Sequence, residues 1–367
     1  YGDHRDLHSF PTRRSSDLLI PGVNSVNSGG SRNERNISVR GFDRWQVPLY
    51  LDGIRVYLPA DNRLDFGRFV TPDLAEIQVS KGYASVLDGP DSLGGAINLV
   101  SRKPTKALDV DARTTLNFDQ TGAFNGYASS ATVGSRQDLF WVETAATKIK
   151  QTHYRLSNEF TPTPLENGGN RDQSQKDDWR INLKAGFTPN DTDEYSINFL
   201  HQSGSKSAPL STTESQRYWT WPYWDVQSIY WLSKTNIGDK SYIKTRGYYN
   251  TFENKLSSFD DSTYTRQTRN SAFNSYYDDD AIGGSVENLA DLAGLGLGMA
   301  QRRLICFAPV VATEVRAHPR PEVRGLADVE HTAVAVPEEV HPGCARQAGG
   351  QPQLAGRWMR TDRRELE

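Results

Sequence analysis

No run of 18 or more apolar residues occurs in the 367 residues of this chain, so the sequence predicts no transmembrane helix. One kind of membrane protein stays open, because a transmembrane β-barrel hides its lipid face in alternate residues and reads as polar on average. Cysteine is nearly absent, at 2 residues. Cys306 and Cys344 sit in no CxxC and beside no paired histidine, so neither a zinc site nor a disulfide framework can be argued. An excess of one charge is also lacking. The net charge of −3 gives no case for nucleic acid or for an electrostatic grip on anionic lipid. No Ser/His/Asp or Cys/His arrangement stands out, and His153 and His201 stand alone. These absences leave no metal site, no cofactor and no catalytic triad to argue from the residues.

A phosphate cradle is missing too, although one stretch invites it. In GPDSLGGAINLVSRKP, Gly89 and Gly94 have P-loop spacing, but Gly95 stands where the lysine belongs and Ala96 where the hydroxyl belongs. Residues 96–101 alternate like a strand, whereas a P-loop opens a helix. The reading is a tight turn feeding a strand.

What is present falls into three compositions. Residues 1–17, YGDHRDLHSFPTRRSSD, lack the apolar segment of a signal peptide. They resemble translated sequencing-adapter read-through and are set aside as a non-native leader. From Leu18 to about Gly294 the chain is rich in Asn, Ser, Thr, Tyr and Gly. Residues 295–367 turn to Arg, Ala, Pro, Val and Glu and contain no Lys, Asn, Ser or Tyr. With no sustained period, this segment reads as a non-homologous or frameshifted tail rather than a disordered linker. On that reading His318, His331 and His341 are accidents.

The middle, residues 105–294, has a period of two. Leu108, Val110, Ala112, Thr114, Leu116 and Phe118 alternate with Asp109, Asp111, Arg113, Thr115 and Asn117. Trp179, Ile181, Leu183, Ala185 and Phe187 alternate with Arg180, Asn182, Lys184 and Gly186, and Tyr195, Ile197 and Phe199 repeat the rhythm. Short turns at 134–138, 188–192 and 236–240 alternate with long polar segments near 150–178, 203–225 and 253–279. That asymmetry is the plan of an outer-membrane barrel. A soluble β-sandwich is the alternative.

Residues 18–104 are shorter in rhythm and Gly-broken. They hold brief strands at Ile37–Arg40 and Val47–Leu51, with Asp52-Gly53 as a hairpin turn. Ordered pieces follow one another: Ile37-Ser38-Val39-Arg40-Gly41-Phe42, Tyr50-Leu51-Asp52-Gly53, Glu76-Ile77-Gln78-Val79-Ser80-Lys81-Gly82, Ser85-Val86-Leu87-Asp88-Gly89, then Leu93-Gly94-Gly95-Ala96-Ile97-Asn98-Leu99-Val100 and Arg102-Lys103-Pro104. In order and spacing this resembles the plug domain of TonB-dependent outer-membrane receptors. Gln78 and Lys81-Gly82-Tyr83 depart from the family's usual Glu and Arg-Gly-Pro.

The resemblance implies a β-rich chain in the outer membrane of a Gram-negative bacterium. A small mixed plug would be followed by about eight of the ~22 antiparallel strands of a plugged barrel in contact with outer-membrane lipid. It implies transport, not catalysis, with ferric siderophore as cargo and cobalamin, haem or glycan as alternatives. TonB would pull on a box lying before Leu18, and most of the barrel would lie beyond Gly294. The fragment would then leave its last strand unpaired and would not transport alone. A soluble carbohydrate-binding β-protein and a non-transporting sensor are readings of another class. The plug motif residues are Arg40, Gly41, Phe42, Asp52, Gly53, Lys81, Gly82, Gly89, Gly94, Gly95 and Asn98, the glycines and Asn98 being structural. Arg40 would face carboxylates of the barrel wall, and so would Lys81, which keeps the charge of the family's arginine but loses its bidentate fork. In the segment RYWTWPYWD, read as a loop, Arg217, Trp219, Trp221, Tyr223 and Trp224 are the ligand candidates, through stacking and an anion contact. Girdle or packing roles are the plainer reading for these aromatics. YYDDD at 276–280 is read as a solvated acidic loop rather than a cation site. Glu143, Glu159 and Asp225 offer carboxylates for glycoside hydrolysis, but no spacing singles out a pair.

Resequencing the parent DNA across residues 280–367 is expected to reveal a frame in which alternating ten-residue strands resume. Confirmation of the tail as written would remove the frameshift reading.

Overall fold

The computed structural model describes residues 20–27, 32–56, 64–82, 92–211, 217–237, 241–291, 303–306 and 310–312. The leader, Gly89, Cys344 and the three tail histidines lie outside the described residues.

The front of the chain builds two small sheets. Strands β1 (Val23–Asn27) and β2 (Arg35–Val39) pair antiparallel. Strands β3 (Leu49–Leu51), β4 (Ile54–Arg55), β5 (Leu74–Lys81) and β6 (Gly95–Ser101) form a second sheet in the order β4-β3-β6-β5. Asp52-Gly53 makes the tight β3–β4 turn, and β3 runs parallel to β6, pairing Tyr50 with Asn98. Between these sheets sits an apolar core of Val23, Val39, Val47, Leu49, Leu64, Phe66, Leu74, Ile97 and Leu99. Gly95 is where this domain most needs glycine. Its φ is +131°, and a Cβ there would stand 2.0 Å from the Ser80 carbonyl oxygen of the neighbouring strand. Gly94 is pinned likewise, since a Cβ would meet Phe42 at 2.3 Å.

A large antiparallel meander follows. It runs through β7 (Asp109–Phe118), β8 (Phe124–Arg136), β9 (Phe140–Gln151), β10 (Lys176–Phe187), β11 (Glu194–Ser207), β12 (Tyr218–Asn236), β13 (Tyr242–Phe259) and β14 (Phe273–Asp291). Each strand pairs with the next in sequence, and the sheet does not close on itself among the described residues. Two short strands from the tail, β15 (Arg303–Cys306) and β16 (Val310–Ala312), pair with β14. The expectation of an unpaired final edge is corrected only over Ile282–Gly284 and Asn288–Asp291, where the chain that follows takes up the free N–H and C=O groups.

The long loops are also shorter than the composition suggested. β12 to β14 are 18–19 residues long and carry the polar stretches 218–225, 253–259 and 273–279 as paired strand. Polarity marks the part of a strand beyond the lipid, where ladder hydrogen bonds still hold the backbone. YYDDD accordingly lies within β14 rather than in a loop.

The two faces of the meander are inverted relative to a soluble sheet. Along β10, Ile181, Leu183 and Phe187 are exposed, while Arg180, Asn182 and Lys184 are buried. The same inversion recurs with Ile197 against Ser196 and Asn198, Ile229 and Trp231 against Ser228 and Tyr230, and Val286 against Glu287. Aromatic pairs mark both limits of the apolar band. Phe187 stacks on Tyr195 at 6.4 Å at the short-turn end, and Trp179 meets His201 edge-on at 4.8 Å toward the long-loop end. The eight steps from Trp179 to Phe187 span about 26 Å of strand. At a tilt of about 35–45° that covers most of an apolar band ~25 Å tall. Apolar outside and polar inside is the pattern of a membrane wall, and the soluble sandwich gives way to it.

Leu183→Lys on the outer face is expected to cost about 2–4 kcal/mol, measured by urea unfolding from lipid vesicles. Equal stability of the variant and the parent would contradict the assignment of that face to lipid.

Candidate functional site: the plug docked on the wall

Period two places Lys176, Asp178, Arg180, Asn182 and Lys184 on the inner face of β10, and every one of them reaches the front domain. The Lys176 ammonium donates to the Gly67 carbonyl and stands 3.3 Å from Asp178. Asp178, wholly buried, accepts from Arg68 at 3.1 Å. Arg180 donates to Asp73, and Asn182 donates to the other oxygen of Asp73 at 3.3 Å. Lys184 donates to the Arg102 carbonyl and pairs with Glu143 of β9 at 2.6 Å. Strand β11 continues the contact. Gln202 donates to the Arg68 carbonyl, and Lys206 pairs with Asp65 at 2.7 Å.

Lower on the wall, the Tyr230 hydroxyl donates to Asp52 at 2.7 Å. Asp52 also takes the Ser101 amide at 2.7 Å and its hydroxyl at 2.5 Å, while the Gly53 amide donates to Asn98 at 3.0 Å. The predicted plug residues Asp52, Gly53 and Asn98 thus converge on one joint with the wall, between β3 and β6.

The local chain makes these carboxylates available. Asp65 closes a turn by accepting the Arg35 and Gly67 amides, each at 2.9 Å. Burial alone would push its carboxyl up. Lys206, Lys176, Arg68 and the Arg35 amide outweigh that and hold it well below the ordinary aspartate value of 3.8.

Other sequence candidates fall elsewhere. Arg40 has a φ of 53° and is followed by Gly41 at 85°, a left-handed pair that turns the chain back after β2. The Arg40 guanidinium lies over Gly82, whose own φ is 91°. Lys81 donates to the Pro21 carbonyl at 3.2 Å. Among the described residues neither cation meets a wall carboxylate. Ion pairs across the joint run both ways: Arg180 and Lys206 of the wall meet Asp73 and Asp65, while Arg68 and Lys103 of the front domain meet Asp178 and Glu194.

The segment read as an aromatic loop is strand. Tyr218 to Asp225 open β12, with a bulge between Thr220 and Tyr223, since their backbone pairs with β11 and β13. Trp224 packs against Phe69 at 6.3 Å and Phe252 at 5.7 Å, with Arg68 over its ring at 5.3 Å. Trp221 carries Lys206 over its ring at 4.8 Å. Both are buried and serve the plug–wall contact. Trp219 stays at the rim beside exposed Arg217, 5.0 Å away, and Tyr223 is half-buried.

The candidate glycosidase carboxylates do not converge. Glu143 shares a rung with Lys184, Asn198 and Tyr230, and Asp225 lies five residues further along β12. That is about 16 Å along the strand, beyond the reach of either glycosidase geometry. Among the described residues no group of three or more His, Cys, Asp or Glu could hold a metal ion.

Sequence reasoning missed Asp65, Arg68 and Asp73. They lie in the irregular stretch LDFGRFVTPD, where no periodic signal exists to show which way a side chain points.

Asp73→Ala strands the buried Arg180 and is expected to cost about 3–5 kcal/mol in urea unfolding, with much of the loss recovered in Asp73→Leu/Arg180→Met. A depressed carboxyl stabilises the fold above its unfolded value and stops doing so as pH falls through its folded one. Acid titration followed by tryptophan fluorescence should therefore show the plug loosening only below pH 3.8, with a smaller response in Asp65→Asn. An unchanged response would remove Asp65 from the docking.

Residues 3–96 match the family described as the TonB-dependent Receptor Plug Domain, a match that begins inside the segment set aside as a leader. The vitamin B12 transporter BtuB of Vibrio vulnificus (strain CMCP6) is 27% identical over 130 residues, covering 33% of this chain and 21% of BtuB. Among solved structures, the copper transporter OprC superimposes with a TM-score of 0.59 at 15% identity, over 74% of this chain and 39% of OprC. The FrpB iron transporter from Neisseria meningitidis gives 0.57 at 14% identity, over 77% of this chain and 44% of FrpB. This chain spans less than half the length of each of them. At such identities the solved structures speak for the fold, and it is the fold of a plug held against a lipid-facing wall. With the plug-domain match over residues 3–96, that fold makes this chain similar to the TonB-dependent receptors, in the plug and in the strands of wall that follow it.

Proposed function

We propose that this chain is the plug-bearing front of a receptor for the active uptake of a metal chelate, and that the chelate is a ferric siderophore. The observation that carries the reading is a small domain held by buried ion pairs to the wet face of an apolar-outside wall. Such an arrangement blocks a lumen and serves no chemistry of its own. Opening it requires work from outside, and TonB, pulling on a segment before the plug, is the partner proposed for that. FrpB transports iron and OprC copper, which supports a metal cargo here.

The rim of the wall presents Arg217 and Trp219, a cation and an aromatic face suited to an anionic chelate with aromatic donors. Cobalamin is the second reading, favoured by the likeness to BtuB over 130 residues.

The purified chain in detergent micelles, titrated with a ferric siderophore, a cobalamin, haem and an oligosaccharide, is expected to bind the siderophore in preference to the others. Preference for cobalamin would move the assignment to the second reading. Binding of the oligosaccharide alone would move it to a glycan receptor.

A further inference from the structure

We propose that Tyr264 is a latch that pins the tip of the loop between β13 and β14, residues 261–266, to the outer end of β12, and that the latch is weak by construction, so that the tip passes between a docked and a released position. The inference does not depend on any cargo. It goes beyond the receptor reading in naming a moving part and the side chain that holds it.

The base of this loop is fixed. Asp260, just past the end of β13, accepts the Thr268 amide at 2.8 Å, the Thr268 hydroxyl at 2.6 Å and the Arg269 amide at 2.9 Å. The Asp260 amide donates to the Arg266 carbonyl at 2.9 Å, and the Gln267 side-chain amide donates to the Ser258 carbonyl at 2.9 Å. The tip between these ties is held differently. Ser262, Thr263, Thr265 and Arg266 are exposed. The Thr263 amide and hydroxyl donate to Asp261 at 2.9 and 2.5 Å, and the Tyr264 amide to the Asp261 carbonyl at 3.2 Å, all within the tip. Only the Tyr264 ring is seen to reach outward. It meets Phe259 edge-on at 5.6 Å and Tyr218 at 6.1 Å. Tyr218 opens β12, a strand that this loop does not itself join. Among the described residues no hydrogen bond or ion pair joins the tip to β12.

Docking carries two costs of its own. Tyr264 sits at a φ of 54°, a left-handed backbone that a bulky side chain disfavours. Its hydroxyl is buried and has no hydrogen-bond partner among the described residues. Burial, then Tyr218 and Asp172, push the phenol up to about 12, as befits a hydroxyl shut away from water. Release removes both costs, because the backbone relaxes and the hydroxyl meets water. Against them stand two edge-on ring contacts and the burial of one aromatic side chain. Opposed contributions of this kind leave two positions near balance, where a modest contact at the mouth shifts the population.

The test is limited chymotrypsin cleavage after position 264 in the full chain in detergent micelles, read by mass spectrometry and normalised to the urea-unfolded chain. Cleavage there tracks the released population. Tyr264→Phe keeps the ring and sheds the orphan hydroxyl, so cleavage should slow about fivefold or more. Tyr218→Ala removes the facing ring from another strand, so cleavage at Tyr264 should quicken about fivefold or more. Near-UV circular dichroism matched to the parent, apart from the lost tyrosine, separates a freed tip from a lost fold. Unchanged or faster cleavage in Tyr264→Phe would overturn the proposal, since the hydroxyl would then be a partnered group. Unchanged cleavage in a folded Tyr218→Ala would overturn it too, since the tip would then be held by something other than the ring contact.

Discussion

Buried charge needs a partner, and each inward charge of β10 finds one in the other domain. The inner face of β10 places Asp178, Arg180 and Lys184 where water is scarce, and none of them could stay there alone without a large penalty. The plug supplies Arg68, Asp73 and the Arg102 carbonyl in answer. Neither surface makes sense without the other. The wall would be an uncompensated polar face, and the plug would expose Asp65 and Asp73 with no cation to meet them. Docking is thus a condition for the wall's own sequence, and the short irregular stretch from Leu64 to Asp73 carries as much of the structure as any strand.

The same constraint explains the inversion of the sheet. A strand with one face in lipid must turn its apolar residues outward, which leaves the polar ones for the lumen. There a second layer must satisfy them. Apolar packing between plug and wall is confined to a few places, chiefly Trp224 and Phe252 of the wall against Phe69 and its neighbours. Elsewhere the contact is made of hydrogen bonds and ion pairs.

Much of this was readable in the residues. The alternation from Trp179 to Phe187 showed both faces of β10 in the right register, and Asp52-Gly53 announced its turn. Gly95 marked a close approach of backbones and Gly94 the approach of the Phe42 side chain. What was not readable was the partner of each inward charge. Arg180 and Lys184 could be seen to face the lumen, but Asp65 and Asp73 lie in turns, where direction follows from tertiary contacts rather than period. The aromatic segment at 217–225 misled for a related reason. A strand that leaves the membrane becomes polar and looks like a loop, although its backbone pairing continues. Arg40 and Lys81 were placed by resemblance alone, and their neighbours proved to be Gly82 and Pro21.

Several of the wall's longest reaches end on main-chain oxygens. Lys176 takes the Gly67 carbonyl, Gln202 that of Arg68, and Lys184 that of Arg102. A carbonyl is present whatever side chain the residue bears. The plug can therefore exchange side chains at such positions over evolutionary time without unseating itself, so long as the path of its backbone is kept. Asp65, Asp73 and Arg68 have no such freedom through their side chains. Drift in the plug should accordingly be uneven, permissive where the wall grips the main chain and strict where it grips a carboxylate or a guanidinium.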